Sequence, residues 1–237
     1  MTRAPLQPAD LAAIEAAVRQ AEARTTGEIY CIAAEESSDY HATPLAWAAG
    51  VALLAPALLL LAGLHVSAPD MGLVGGWTAD QVEGVGEATA RAALVGTLLL
   101  QALLFVVTLL VVAIPPVRRA LTPRGLKRDR VLQRAEAQFL AKNLHNTRER
   151  TGVLIYVSFA ERMAELIADE AIHAKVPDGT WDRAMAVLTA GLRHGHPAKG
   201  FSDAIGLCGE VLAQHFPAQA DDNPNELPDA VVLLPRP

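Results

Sequence analysis

Charge is scarce in this 237-residue chain: Asp, Glu, Lys and Arg make up 19% of it, where a soluble domain carries about 25%. Aromatic residues amount to 5%, and there are two cysteines. So few charges, beside 51% hydrophobic residues, exclude a disordered chain and a coiled coil and disfavour a wholly soluble enzyme. Two cysteines exclude a disulfide-rich secreted scaffold. Basic residues are not in excess, and a net charge of -6 with a pI near 5.6 argues against a general nucleic-acid binder. No P-loop, Rossmann fingerprint, His-Glu-x-x-His or Gly-x-Ser-x-Gly motif occurs. What the chain has in plenty is apolar residues, with a mean hydropathy of +0.24, and they are concentrated in two runs.

Leu45 to Leu64 is 20 residues without a charge, and Ala92 to Ile114 is 23. A bilayer core needs about 20 apolar residues as helix, so both runs are read as membrane spans joined by a loop over 65–91. Buried core helices are the competing reading, but soluble helices are rarely apolar on every face for five turns. Pro56 is tolerated inside a membrane helix, and Pro115 and Pro116 end the second span. Neither run reads as a signal peptide, because 44 residues precede the first. No lipidation motif is expected either.

Basic residues set the orientation. Arg118, Arg119, Arg124, Lys127, Arg128, Arg130 and Arg134 follow the second span, with Asp129 the one acid among them. The loop between the spans holds Asp70, Asp80, Glu83 and Glu87, and only Arg91 at its end. The positive-inside rule then places both termini in the cytoplasm and makes the protein a two-pass protein of the bacterial inner membrane. Arg118, Arg119, Arg124, Lys127 and Arg128 suit anionic lipid headgroups. A nucleic-acid patch is the alternative, but the run abuts a membrane span and lacks interleaved aromatics.

The flanking segments, 1–44 and 115–237, hold enough chain for one core. Leu11, Ile14, Val18 and Ala21 recur at helical spacing, with Asp10 as a plausible N-cap. Residues 28–34 read as a strand, with Ile29, Cys31 and Ala33 on one face. A helix follows from Leu126 to Asn146, and residues 152–159 read as a central strand. A turn at Ala160, Glu161 and Arg162 leads to a partner strand over 163–169. Two helices are marked by Trp181, Met185, Leu188 and Leu192, then by Phe201, Ile205, Cys208 and Leu212. A polar stretch, 219–228, precedes a last strand over 229–234. One helix and one strand in the first 44 residues cannot bury their own apolar faces. The expected fold is therefore a single small mixed-sheet α/β sandwich domain, interrupted by a two-helix transmembrane hairpin.

Several motifs carry a family resemblance. They are Arg24, Thr25, Thr26, Gly27, Glu28 and Ile29 opening the first strand, then Ser37, Ser38, Asp39 and Tyr40 closing it. Thr151 to Arg162 follows, with its partner strand and the helical tail. Together these residues resemble the TPM domain. That family includes thylakoid-lumen acid-phosphatase-like and photosystem-repair proteins and many bacterial membrane proteins. Its members commonly carry a signal peptide and one C-terminal anchor and face away from the cytoplasm; here a hairpin interrupts the domain and the charges point inward. Calcium binding and a weak phosphatase activity have been associated with some relatives.

The residues themselves offer one constellation, the carboxylates at strand ends. Glu28 starts the first strand, Asp39 closes its exit turn, Asp169 ends the third strand and Asp229 starts the last. Converging, they would suit calcium or another divalent cation bound through oxygen; otherwise each caps a helix or turn and faces water. His194 and His196 flank Gly195 at a helix end and read as solvated. Cys31 and Cys208 read as small core residues. The spans hold no ionisable residue, and Gln101 is their one strong hydrogen-bonding side chain, which favours an anchor over a transport path. Close approach of the spans is expected at Ala46, Ala49, Gly50 and Ala52, facing Ala92 and Gly96. Two functions follow: a membrane-anchored binding or assembly module that engages other membrane proteins, or a membrane-anchored metal-assisted phosphatase-like hydrolase.

Overall fold

The computed structural model of the protein describes residues 6–62, 79–177, 179–218 and 225–237. The chain divides into two compact units, one of Met1–Asp39 with Pro123–Pro237, the other of Tyr40–Thr122. Most of the loop expected over 65–91 and of the polar stretch 219–228 lies outside the described residues.

The first unit is mixed α/β. It begins with helix α1 (Pro8–Glu22), which buries Ile14, Val18 and Ala21 at the spacing read from the sequence, and strand β1 (Glu28–Ala34). After the second unit come α5 (Arg124–Ala141), a 3-10 turn (Leu144–Asn146), β2 (Gly152–Ser158) and β3 (Met163–Ala168). Helices α6 (Glu170–Lys175), α7 (Asp182–Arg193) and α8 (Pro197–His215) follow, then β4 (Val232–Leu234). The strand order is β3-β2-β1-β4; β1 runs parallel to β2 and β4, and β2 pairs antiparallel with β3.

Strands β1 and β2 are buried along all seven of their residues, the pattern of central strands covered on both faces. One face carries Ile29, Cys31 and Ala33 against α1, α7 and α8; the other carries Tyr30 and Ile32 against Val131, Ala135 and Phe139 of α5. Cys31 and Cys208 are both buried free thiols. Burial raises both thiols, Cys208 to about 12, so they act as apolar packing.

Local chemistry shifts several expected boundaries. The helix expected to reach Asn146 stops at Ala141, because Asn143 takes the left-handed conformation, φ 55°. Asp169 accepts from the Glu170 N–H at 2.6 Å and caps α6, a six-residue helix without enough turns to show a period. The last strand is three residues instead of six.

The second unit contains α2 (Ala42–Leu61), α3 (Ala79–Ala113) and α4 (Pro115–Leu121). The expected span from Ala92 is the C-terminal part of α3, which begins 13 residues earlier, at Ala79. Pro115 ends α3 as expected but also opens α4, where its missing N–H costs nothing at the first helical position. Two windows, Ala42–Leu59 and Leu94–Ala113, are long and apolar enough to cross a membrane. Large apolar side chains on both are exposed, Leu53 and Leu110 at 65% each.

The small-residue face of α2 agrees with expectation at Ala52, which is buried, and differs elsewhere. Ala46 and Ala49 are exposed, and a Cβ on Gly50 would meet nothing within 4 Å. The buried row is Pro44, Ala48, Ala52 and Pro56, one residue every four, which puts them on one side of the helix; Gly96 is buried as expected. Ala48→Leu should therefore lower the melting temperature of the detergent-solubilised chain, since overpacking costs about 1–3 kcal/mol, while Gly50→Leu should leave it unchanged. Thermal scans of the two variants check this.

Candidate functional site

The parallel strands β1, β2 and β4 give the sheet two chemically different ends. Glu28 lies at the N-terminal end of β1, where it accepts from the main-chain N–H groups of Glu226 and Leu227 at 3.3 and 3.1 Å. Asp229 and Glu22 lie within electrostatic reach of it. Glu22, at the last position of α1, accepts from the Ile29 N–H at 2.7 Å and shares a side-chain hydrogen bond with Asp229. Burial pushes its carboxyl up to about 8, and raises Glu28 as well. Asp229 also accepts from Arg19 at 3.2 Å and from Asn225 at 2.6 Å. These acids lock residues 225–229 onto the sheet.

Of the four carboxylates read from the sequence, two come together here, Glu28 and Asp229. Asp169 is at the same end but two strands across, its N–H donating to the Gly152 carbonyl at 2.9 Å and its side chain capping α6. Asp39 lies beyond the C-terminal end of β1. Among the described residues no group of three or more His, Cys, Asp or Glu is arranged to hold a metal ion. A hard cation takes about six to eight oxygens, and the two carboxylates that meet here are already engaged, Glu28 by the Glu226 and Leu227 N–H groups and Asp229 by Arg19 and Asn225. These residues do not fit the calcium that the family resemblance implies. Sequence reasoning missed Glu22, which closes the apolar stripe of α1 and has no spacing signal of its own.

The C-terminal end of β1 and β2 holds a buried polar network. The Ser37 hydroxyl is 3.0 Å from the Tyr156 hydroxyl, which also bonds Arg134. The Ser158 hydroxyl donates to Glu161, and the Ser37 N–H donates to the same carboxylate at 3.4 Å. Burial raises the Tyr156 phenol, so it stays neutral at ordinary pH. Ser158 is fully buried and Ser37 is 6% exposed. Hydroxyls so enclosed hold β1 and β2 in register; they are not placed to attack a substrate.

The motifs behind the family resemblance turn out to be joints. Thr25 donates to the Phe216 carbonyl at 2.6 Å, and Thr26 to Glu149 at 2.8 Å, tying the turn before β1 to the end of α8 and to the loop before β2. A Cβ on Gly152 would lie 2.5 Å from the Leu144 carbonyl oxygen, a close approach only glycine permits. His194 caps α7 through the Ala190 carbonyl at 2.8 Å and is exposed with His196.

The large opening of this unit, about 1030 Å³, runs along β3. Residues 162–166 line it consecutively. A strand face would contribute every second residue, so this groove follows the strand's edge, the side away from β2. Arg124 and Arg128 of α5 stand on one side, and Met185, Thr189 and Arg193 of α7 on the other. No local sequence pattern signals it, because its lining comes from three elements brought together only by folding.

Comparison with known proteins agrees with this architecture. The NMR structure of BA42 protein from the psychrophilic bacterium Bizionia argentinensis aligns over 98% of both chains with a TM-score of 0.55. At 18% identity that likeness concerns the fold alone. No curated protein matches the chain. A family model, that of the TPM domain, matches residues 109–211; the match takes in β2, β3 and the helices through most of α8 but not β1, which lies on the other side of the apolar helices in sequence. Over residues 109–211 the chain is thus similar to the TPM-domain family, as the motif Thr151 to Arg162 and the elements that follow it suggested.

Proposed function

We propose that this protein is a membrane-anchored binding module. The segment Tyr40–Thr122 crosses the inner membrane twice, and the α/β unit stays in the cytoplasm and engages other proteins through the β3 groove. The observation that carries this reading is the exposed apolar surface of α2 and α3. The two apolar windows are only 28% and 11% buried, and so much contiguous apolar surface marks a lipid or protein contact. Trp47, whose indole N–H donates to the Leu121 carbonyl at 3.3 Å, suits the membrane–water boundary. Arg118 and Arg119 on α4 suit the cytoplasmic side and anionic headgroups. The buried state of Ser37 and Ser158 weighs against the hydrolase reading.

Two measurements test this function. The protein should stay in carbonate-washed membranes, and a reporter active only in the periplasm should be silent when fused after Pro237. A photo-crosslinking residue at Thr189, on the groove wall, should give a discrete protein adduct in native membranes. Release by carbonate or an active reporter would overturn the anchored topology, and absence of an adduct would overturn the binding role.

A further inference from the structure

We propose that the free edge of β3 takes up an extended, acidic segment of a partner protein as an added β-strand. The inference rests on the binding-module reading and names the chemistry of its ligand. Among the described residues β3 is the last strand in the sheet and pairs on one side only. The Asp169 N–H bonds the Gly152 carbonyl directly opposite. In an antiparallel ladder this fixes the alternation: Met163, Glu165 and Ile167 turn their main-chain groups toward β2, and Ala164, Leu166 and Ala168 turn theirs outward. Outward N–H and C=O groups are a template for another strand; here those of Leu166 and of the barely exposed Ala164 line the groove, while Ala168 is buried beyond it.

Proteins usually disarm such edges with proline, a bulge or a covering element. The segment 163–168, Met-Ala-Glu-Leu-Ile-Ala, has no proline, and its pairing with β2 runs without a break in register. Helices α5 and α7 flank the edge and leave the groove open between them. The partly buried Trp181 and Met185 offer apolar contacts on the α7 side, enough for alternate side chains of an incoming strand.

Charge selects the occupant. Four arginines line the groove, Arg124, Arg128, Arg162 and Arg193, on a chain whose net charge is -6. The acids beside them are largely engaged. Glu161 is held by Ser158 and the Ser37 N–H, and Glu165 is half-buried in the field of Arg128. Asp182 is the remaining acid of the lining. A strand with carboxylates on one face would meet arginines on rigid helices, and arginine pairs carboxylates with two parallel hydrogen bonds. A lipid headgroup would satisfy the arginines but leave the strand edge unpaired.

The test uses the full chain in phosphatidylcholine nanodiscs and a fluorescein-labelled octapeptide alternating Glu and Val. Anisotropy should report saturable binding that the matching Lys–Val peptide does not show. A strand presents alternate N–H groups to each edge, so N-methylation of either the Glu or the Val positions should weaken binding by at least about tenfold. Arg128→Glu combined with Arg193→Glu, both on the helices flanking the groove, should weaken it similarly. Equal binding of both N-methylated peptides would overturn strand addition in the unaltered protein, as would no saturable binding at all. Displacement by dioctanoyl phosphatidylglycerol together with indifference to N-methylation would make this a lipid site instead. A Thr189 adduct in native membranes, without peptide binding, would leave the binding module standing and remove only the strand.

Discussion

A chain in which residues 40–122 are replaced by about ten Gly and Ser residues should be recovered from the cytosol as a soluble domain that unfolds cooperatively. Both cores of the sheet are assembled from the unit that remains, Met1–Asp39 with Pro123–Pro237. Closing a flexible loop costs little more as it lengthens, about 0.6 kcal/mol per doubling, so the linker replaces the second unit without a large entropic change. The opposite truncation, a chain starting at Pro123, should be insoluble. It loses β1, which is buried along its length and is the strand on which both β2 and β4 pair. Ile29 and Ile32 alone, each 1% exposed or less, contribute on the order of 2 kcal/mol apiece, against a total stability of about 5–15 kcal/mol. Chemical denaturation of the linker protein, and the soluble fraction of the truncated one, report these outcomes. Cooperative unfolding by the fragment alone would mean that residues 1–39 are dispensable and the single-core architecture is mistaken.

The central placement of β2 was legible because residues 152–158 are a continuous apolar, β-branched run of strand length, and such runs are buried on both faces in parallel sheets. Residues 28–34 were legible as a strand with one buried face, but burial of the other face of β1 was not, because it depends on α5 packing there. The helices α1, α7 and α8 were legible for a related reason: a stripe at every third or fourth residue survives any change of tertiary context. The order β3-β2-β1-β4 was not legible, since hydrophobic periodicity says which face is buried and nothing of which strand is the neighbour. The packing face of α2 was read only in part, at Ala52, because almost every residue in that helix is apolar. No contrast separates Ala46, Ala49 and Gly50 from Pro44, Ala48 and Pro56, and only the folded helix pair selects among them. For the candidate sites, the strand-end acids were visible as residue types, but their convergence depends on strand pairing. Glu28 and Asp229 meet because β4 lies beside β1, while Asp169 is held two strands away. Glu22 and the β3 groove had no local signature at all. Their chemistry comes from burial and from an unpaired edge, both properties of the folded chain.

Glu22 supplies the second large effect, a loss of stability as pH rises from 6 to 9 that Glu22→Gln should reduce. The residue is 9% exposed, and the ionised form of its carboxyl is penalised first by burial, then by the charges of Glu28 and Asp229; the Ile29 N–H offsets part of this. Its pKa rises from 4.5 to about 8 in the folded chain. Folded protein then holds a proton that the unfolded chain releases above pH 4.5, so stability must fall with pH across that window. The contribution is fully present below about pH 4.5 and is lost as pH passes through about 8. A shift of this size corresponds to at most about 5 kcal/mol, and Glu28, also raised by burial, acts in the same direction. Ordinary carboxylates are ionised throughout pH 6 to 9 and contribute nothing to the slope. In the variant, the introduced side-chain amide accepts from the Ile29 N–H through its oxygen and donates to Asp229 through its N–H, so both bonds survive without a titrating proton. Denaturant midpoints at pH 6, 7, 8 and 9 should fall for the wild-type chain and fall less steeply for Glu22→Gln, which keeps only the contribution of Glu28, with the curves crossing so that the variant is the more stable protein at pH 9. Parallel curves would show that Glu22 ionises normally and that the clamp on residues 225–229 does not depend on a shared proton.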